Sequence, residues 1–176
     1  MFENSQIETD GLPVATDVAW QPLDAGYRRL RVATAIATTI IIAIGASVGQ
    51  FVLRRQSDGA VDLPVAWLIF LVPALGLTMV GWVYIAVPKL GYAVRERDVL
   101  YKSGVWWRSL TAIPFNRIQH VEKDSSPLDR FFGVANLKIF TAGSAGGDLR
   151  IEGLSDDVAE RLRAFLLERI GSSIER

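Results

Sequence analysis

VATAIATTIIIAIGASVGQFVL (Val32–Leu53) and VAWLIFLVPALGLTMVGWVYIAV (Val65–Val87) are two long apolar stretches, and neither contains an Asp, Glu, Lys or Arg. About 20 helical residues cross a bilayer core of roughly 30 Å, and both stretches reach that length. A chain in hydrocarbon must satisfy its own N–H and C=O groups, so each is predicted to be helical. The competing reading, two buried helices of a soluble protein, expects shorter segments with a polar face. The isoleucines, valines and Phe51 of the first stretch favour insertion, while Thr34, Thr38, Thr39, Ser47 and Gln50 oppose it, so it is the weaker span alone. The short polar connection Arg54–Pro64 then forces an antiparallel hairpin.

Working outward, the flanks set the orientation. Arg28, Arg29 and Arg31 precede the hairpin, Lys89, Arg95 and Arg97 follow it, and the connection offers only Arg54 and Arg55. Basic residues concentrate on the cytoplasmic side, so both termini are expected there, in the inner (cell) membrane, on a chain that crosses twice. Trp67, Trp82 and Tyr84 suit the two membrane–water interfaces, and Trp20 and Tyr27 suit the headgroup level. Gly45 and Gly49 form a GxxxG pair that leaves one helical face bare, expected to let the second span approach. Pro73 and Gly76 predict a mild bend in that span.

Composition excludes whole classes of chemistry. The 176-residue chain has no cysteine, which removes disulfides, thiol catalysis and cysteine metal sites. A single histidine removes multi-histidine metal sites, and no cofactor is implied. A formal net charge of zero gives no argument for nucleic acid.

The organisation read from the chain is a disordered segment 1–19, a juxtamembrane segment 20–31, a hairpin 32–87 and a cytosolic domain 88–171. After the hairpin the periodicity shortens. Strands are predicted over Gly91–Arg95, Val99–Gly104, Val105–Ile113, Ile118–Lys123, Ala135–Thr141 and Asp148–Glu152. On the third strand the neighbours Trp106 and Trp107 would face opposite sides, one into the core. On the fourth, Ile118, His120 and Glu122 would oppose Gln119, Val121 and Lys123. Pro127–Gly133 suits a single helical turn, and Ala142–Gly147 a glycine-rich turn. Ser155 caps a last helix, with Asp156 and Asp157 in its first turn, an apolar stripe at Val158, Leu162, Phe165, Leu166 and Ile170, and Gly171 as its stop. Six short strands with tight turns form a small barrel or two packed sheets, which one amphipathic helix can cover.

Within Ile113–Gly143, the pattern Ile113-Pro114, Arg117-Ile118-Gln119, Val121, Pro127-Leu128, Arg130, Phe132-Gly133 and Thr141-Ala142-Gly143 resembles the bacterial pleckstrin-homology (PH)-like domain of YdbS-like membrane proteins. The resemblance runs over roughly residues 20–170. It implies an α+β membrane protein: a two-helix transmembrane hairpin, then a PH-like β-barrel or sandwich with a C-terminal amphipathic helix. It also implies a partner, a larger membrane protein with several copies of the same domain, and it carries no established reaction.

No catalytic set emerges from the residues themselves. Asp156–Asp157 reads as a helix-dipole pair, and Ser125, Ser126 and His120 lack the spacing of a triad. Ala142–Gly147 lacks the GK[ST] ending of a phosphate loop. The basic residues Lys102, Arg108, Arg117, Lys123, Arg130 and Lys138 form the one candidate ligand patch, though Arg117 and Arg130 also suit turn bracing. Arg117, Arg130, Lys138 and Trp107 are therefore the candidate lipid or partner contacts. The expected function is a non-enzymatic inner-membrane protein, anchored in the lipid bilayer by its hairpin, whose cytosolic PH-like domain mediates interaction with a membrane protein partner. A domain sensing lipid headgroups is the alternative, and an envelope enzyme the remote one.

Overall fold

A helix of 32 residues, Ala25–Gln56 (α1), opens the fold, and it starts well before the apolar stretch does. The computed structural model describes residues 18–56, 65–141 and 149–174. The disordered segment expected before Val18, the polar connection beyond Gln56 and the Ala142–Gly147 turn lie outside the described residues. Asp24 caps α1: its carboxylate accepts from the Gly26 N–H at 2.7 Å. The second helix, Val65–Ala86 (α2), carries Pro73 inside it without breaking, and a single 3₁₀ turn, Val87–Lys89, delivers the chain into the first strand.

The helices lie side by side through their smaller residues. Ala35, Thr39, Ala43 and Ala46 are among the less exposed positions of α1, and Val72, Gly76, Met79 and Val83 among those of α2. These sets repeat at three- and four-residue steps, the spacing of a helix-pair seam. A side chain at Gly76 would press on Thr39, so this is the close approach between the helices. At Gly45 and Gly49, by contrast, nothing among the described residues lies within 4 Å, so among these residues the pair does not make the close approach to α2 that its spacing suggested. Ile36, Ile40, Ile41, Ile44, Phe70, Leu71 and Leu77 all point outward and are exposed. Of the 18-residue windows that make each helix apolar enough to cross a membrane, 0% and 6% are buried, the opposite of a core helix in a soluble protein.

The strands form two antiparallel three-stranded sheets. One contains β1 (Gly91–Val94), β2 (Asp98–Ser103) and β3 (Ser109–Pro114) in that order. The other contains β4 (Ile118–Asp124), β5 (Val134–Thr141) and β6 (Leu149–Ser155) in that order. The architecture is a sandwich and not a closed barrel. A five-residue helix α3 (Pro127–Phe131) joins β4 to β5, and α4 (Asp156–Ile174) follows β6. Val99 and Ile113 from the first sheet, Leu137, Ile139 and Ile151 from the second, and Ala159, Leu162 and Leu166 from α4 form one buried core. Phe115 meets Phe165 edge to face at 5.9 Å, which holds α4 over the gap between the sheets.

Four local expectations change. The third strand begins at Ser109, because Gly104–Arg108 is spent on the turn out of β2. In consequence neither tryptophan enters the core: Trp106 is 78% and Trp107 89% exposed. The strict alternation of β4 fails because a bulge between Ile118 and His120 shifts the register, so Ile118 and Val121 both face inward. And α4 continues past Gly171 to Ile174, since nothing opposes a glycine at a solvent-facing helical position.

Candidate functional site

The unusual construction is at the end of the domain from which the two helices emerge. Residues 20–31 are not a separate segment there. Gln21 pairs with Tyr92 of β1 through two backbone hydrogen bonds, Gln21 N–H to Tyr92 O at 2.9 Å and Tyr92 N–H to Gln21 O at 3.1 Å. The Asp24 N–H donates to the Gly153 carbonyl at 2.9 Å. Tyr27, expected at the headgroup level, is instead buried in the domain, with its hydroxyl donating to Glu152 Oε2 at 2.6 Å. Its ring lies against Gly153, whose φ of +69° is a left-handed conformation that disfavours any side chain, while a Cβ there would collide with the ring. Leu30 and Val134 complete a second buried cluster with Tyr27, and Leu23, Val87, Leu90 and Phe132 close around it. The beginning of α1, the end of α2 and the domain thus share one apolar joint.

Polar groups brace the joint from behind. Asn136, the one buried polar residue among those described, donates from Nδ2 to Asp129 and accepts from the Gly153 N–H, each at 3.3 Å. Asp129 in turn completes a capping box with Ser126 at the start of α3. The short motif Pro127–Gly133 therefore positions Phe132 in the joint.

Beside the joint is a groove of about 480 Å³, lined by Trp20, Lys89, Lys102, Gly104, Arg108 and Leu110, among others. Gly91 pairs with Lys102 across β1 and β2, and its lack of a side chain lets the lysine stem lie flat on it. The Lys102 ammonium then sits 4.6 Å from the centre of the Trp20 ring. Among the described residues, no carboxylate lies within salt-bridge reach of Lys89, Lys102 or Arg108.

The sequence-selected patch is dispersed by the fold. Lys138 pairs with Asp124 at 3.1 Å. Lys123 pairs with Asp156 at 3.0 Å and Glu160 at 3.4 Å, and hydrogen bonding to Asp156 is the main cause of its raised pKa. Arg130 donates to Ser125 Oγ at 3.3 Å, so it braces the turn before α3. Arg117 is exposed at the opposite end of the domain, after β3 has run away from the helices. Of the earlier candidates only Lys102 and Arg108 line the groove, where Lys89 and Trp20 join them; Trp107 is exposed on the adjoining turn. No local pattern marks that grouping, because it depends on which residue of β1 faces which residue of β2.

The residues considered for catalysis are engaged structurally. Ser126 caps α3, His120 contacts Glu122 at 3.2 Å, and Asp157 pairs with Arg161 at 2.8 Å.

Comparison with known proteins places these features in context. Residues 31–170 match the family model described as bacterial PH domain. Over 72 residues the chain is 32% identical to the UPF0699 transmembrane protein YdbS of Bacillus subtilis (strain 168). That alignment covers 41% of this chain and 43% of the relative, so the match spans less than half the relative's length. No solved structure matches. The relative's transmembrane description and the two outward-facing apolar helices together make this chain a membrane protein.

Proposed function

The chain belongs to the bacterial PH domain family, and on that premise we propose that it is a non-enzymatic, double-crossing protein of the cell membrane whose domain faces the cytoplasm and docks a second membrane protein along β3. The observation that carries this reading is the state of β3. It is the outer strand of its sheet, and Ser109, Leu110, Thr111 and Ala112 are all exposed in succession. A strand exposed over four successive residues and, among the described residues, unpaired along one edge is a template for an added strand. The outward Gly45–Gly49 face of α1 supports a membrane-embedded partner in particular, since it would let another helix come close. The basic flanks Arg28, Arg29, Arg31, Lys89, Arg95 and Arg97 favour the cytoplasmic placement.

Two experiments separate the parts of this proposal. A photo-crosslinking residue at Thr111 in intact cells should capture a membrane protein, while one at His120 should not. The docking reading fails if Thr111 yields no adduct and the protein purifies from mild detergent only as a solitary monomer. For orientation, cysteine at Gln56 should react with an impermeant maleimide added outside, and cysteine at His120 should stay protected until the membrane is opened. The chain's lack of native cysteine makes both signals unambiguous.

A further inference from the structure

The turn between β2 and β3 carries two adjacent, strongly exposed tryptophans, and the strand register says where it points. β1 begins at Gly91, directly after the 3₁₀ turn that ends the α2 segment. It runs away from the helices, and β2 runs back, so that Lys102 returns opposite Gly91. The chain then continues through Ser103 and turns over Gly104–Arg108 before Ser109 leaves again opposite Ser103. The turn therefore projects past the start of β1, to the level at which the chain leaves α2. Trp106 and Trp107 sit at its tip, 78% and 89% exposed, and Lys89, Lys102 and Arg108 lie beneath them around the groove.

Such a tip would be a liability in water, but at the level of a bilayer's interface it has a definite use. Tryptophan rings concentrate at that depth, and nearby lysines and arginines meet lipid phosphates. The groove adds a recess with cations on its walls and no carboxylate to neutralise them among the described residues. Lys102 is held in place there by the Trp20 ring and by the bare backbone of Gly91. The turn itself is fixed: Gly104 has φ +96°, and a side chain there would run into the Trp107 carbonyl.

We infer that the β2–β3 turn is a third membrane attachment, in which Trp106 and Trp107 enter the interface and the groove formed by Lys89, Lys102 and Arg108 holds the phosphate of an anionic phospholipid. This rests on the membrane placement of the hairpin and is independent of docking along β3.

The test uses the full-length chain with single cysteines carrying the fluorophore NBD, reconstituted in phosphatidylcholine vesicles with or without a minority of phosphatidylglycerol. NBD at Trp107→Cys should be quenched by lipids spin-labelled near the headgroup and shielded from aqueous iodide. NBD at His120→Cys should show the reverse, since His120 pairs with Phe140 at the end of the second sheet remote from Val134. A label at Ile44→Cys, exposed in mid-α1, reports the hairpin itself. If Ile44 is not quenched by lipid, the membrane reading fails; if Ile44 is quenched and position 107 answers only to iodide, this inference alone is overturned. The headgroup site predicts stronger quenching at 107 by spin-labelled phosphatidylglycerol than by phosphatidylcholine, with each of Lys102→Gln and Arg108→Gln reducing the preference about fivefold. Equal quenching by the two lipids would overturn the phosphate site. If position 107 escapes both quenchers in native membranes but answers to iodide in vesicles, the tip is a protein contact and the inference is wrong.

Discussion

At the scale of single residues, Tyr27 and Gly153 hold the domain to its helices. Gly153→Ala adds a Cβ in a left-handed conformation and drives it into the Tyr27 ring. The conformational strain is on the order of 1 kcal/mol and the overlap adds to it, so we expect a loss of roughly 2–4 kcal/mol, read as a fall in Tm in detergent. Tyr27→Ala in the same chain should remove the overlap but not the strain, so the double variant should lose less than the two single losses summed. Equal, additive losses would mean that the two residues do not touch. Tyr101 supplies a pH-dependent counterpart. Burial, reinforced by the charge of Glu152, pushes its hydroxyl up to about 12, above the ordinary tyrosine value of 10.0. The group is neutral in both folded and unfolded states below pH 10, so its contribution is complete there. Above pH 10 the unfolded chain ionises first, and that stability is lost as the pH rises through the folded value of about 12. An alkaline melt series should show this slope, and Tyr101→Phe should make it shallower, the rest coming from Tyr27 and Tyr92, which burial also raises.

Among the elements, α1 is the one whose role exceeds what its sequence declared. The apolar run at Val32–Leu53, the α2 run and the α4 stripe were legible because each is a local period. The six strands were legible in number and order for the same reason. Three things were not. Gln21 and Tyr92 pair across the whole of the hairpin in sequence, and no local pattern marks a contact that distant. The bulge in β4 breaks a period without changing composition. Trp106 and Trp107 have strong β propensity, yet the left-handed Gly104 turns the chain before they can join a strand. Because α1 runs without interruption from the joint to Gln56, the domain and hairpin should move as one body. Spin labels on cysteines at Gln56 and His120 should give a narrow distance distribution by double electron–electron resonance. Inserting three glycines after both Arg31 and Lys89 should broaden it, whereas insertion after Lys89 alone should not, since α1 still holds the domain.

The whole molecule is a membrane protein built as a bracket. Its two apolar helices stand on a sandwich, and the sandwich presents a bare strand on one side and an aromatic turn at its base. The family pattern Pro127–Gly133 contributes to that bracket through Phe132 and the Asp129–Asn136–Gly153 relay of hydrogen bonds. Asn136→Leu would leave the Gly153 N–H without its partner, and we expect it to destabilise the assembled chain by about 1–3 kcal/mol. Joint and core share this relay, so limited proteolysis of that variant should attack the domain and the helices together, in one transition.

An unhinged joint also makes the protein a lever. A helix 32 residues long, about 48 Å from end to end, leans when the surrounding lipid is too thin to cover its apolar length. Because α1 is continuous from the joint to Gln56, the same angle passes to the sandwich and swings β3 through a displacement that grows with its height above the lipid. Bilayer thickness is then a variable that this chain converts into the position of a protein edge.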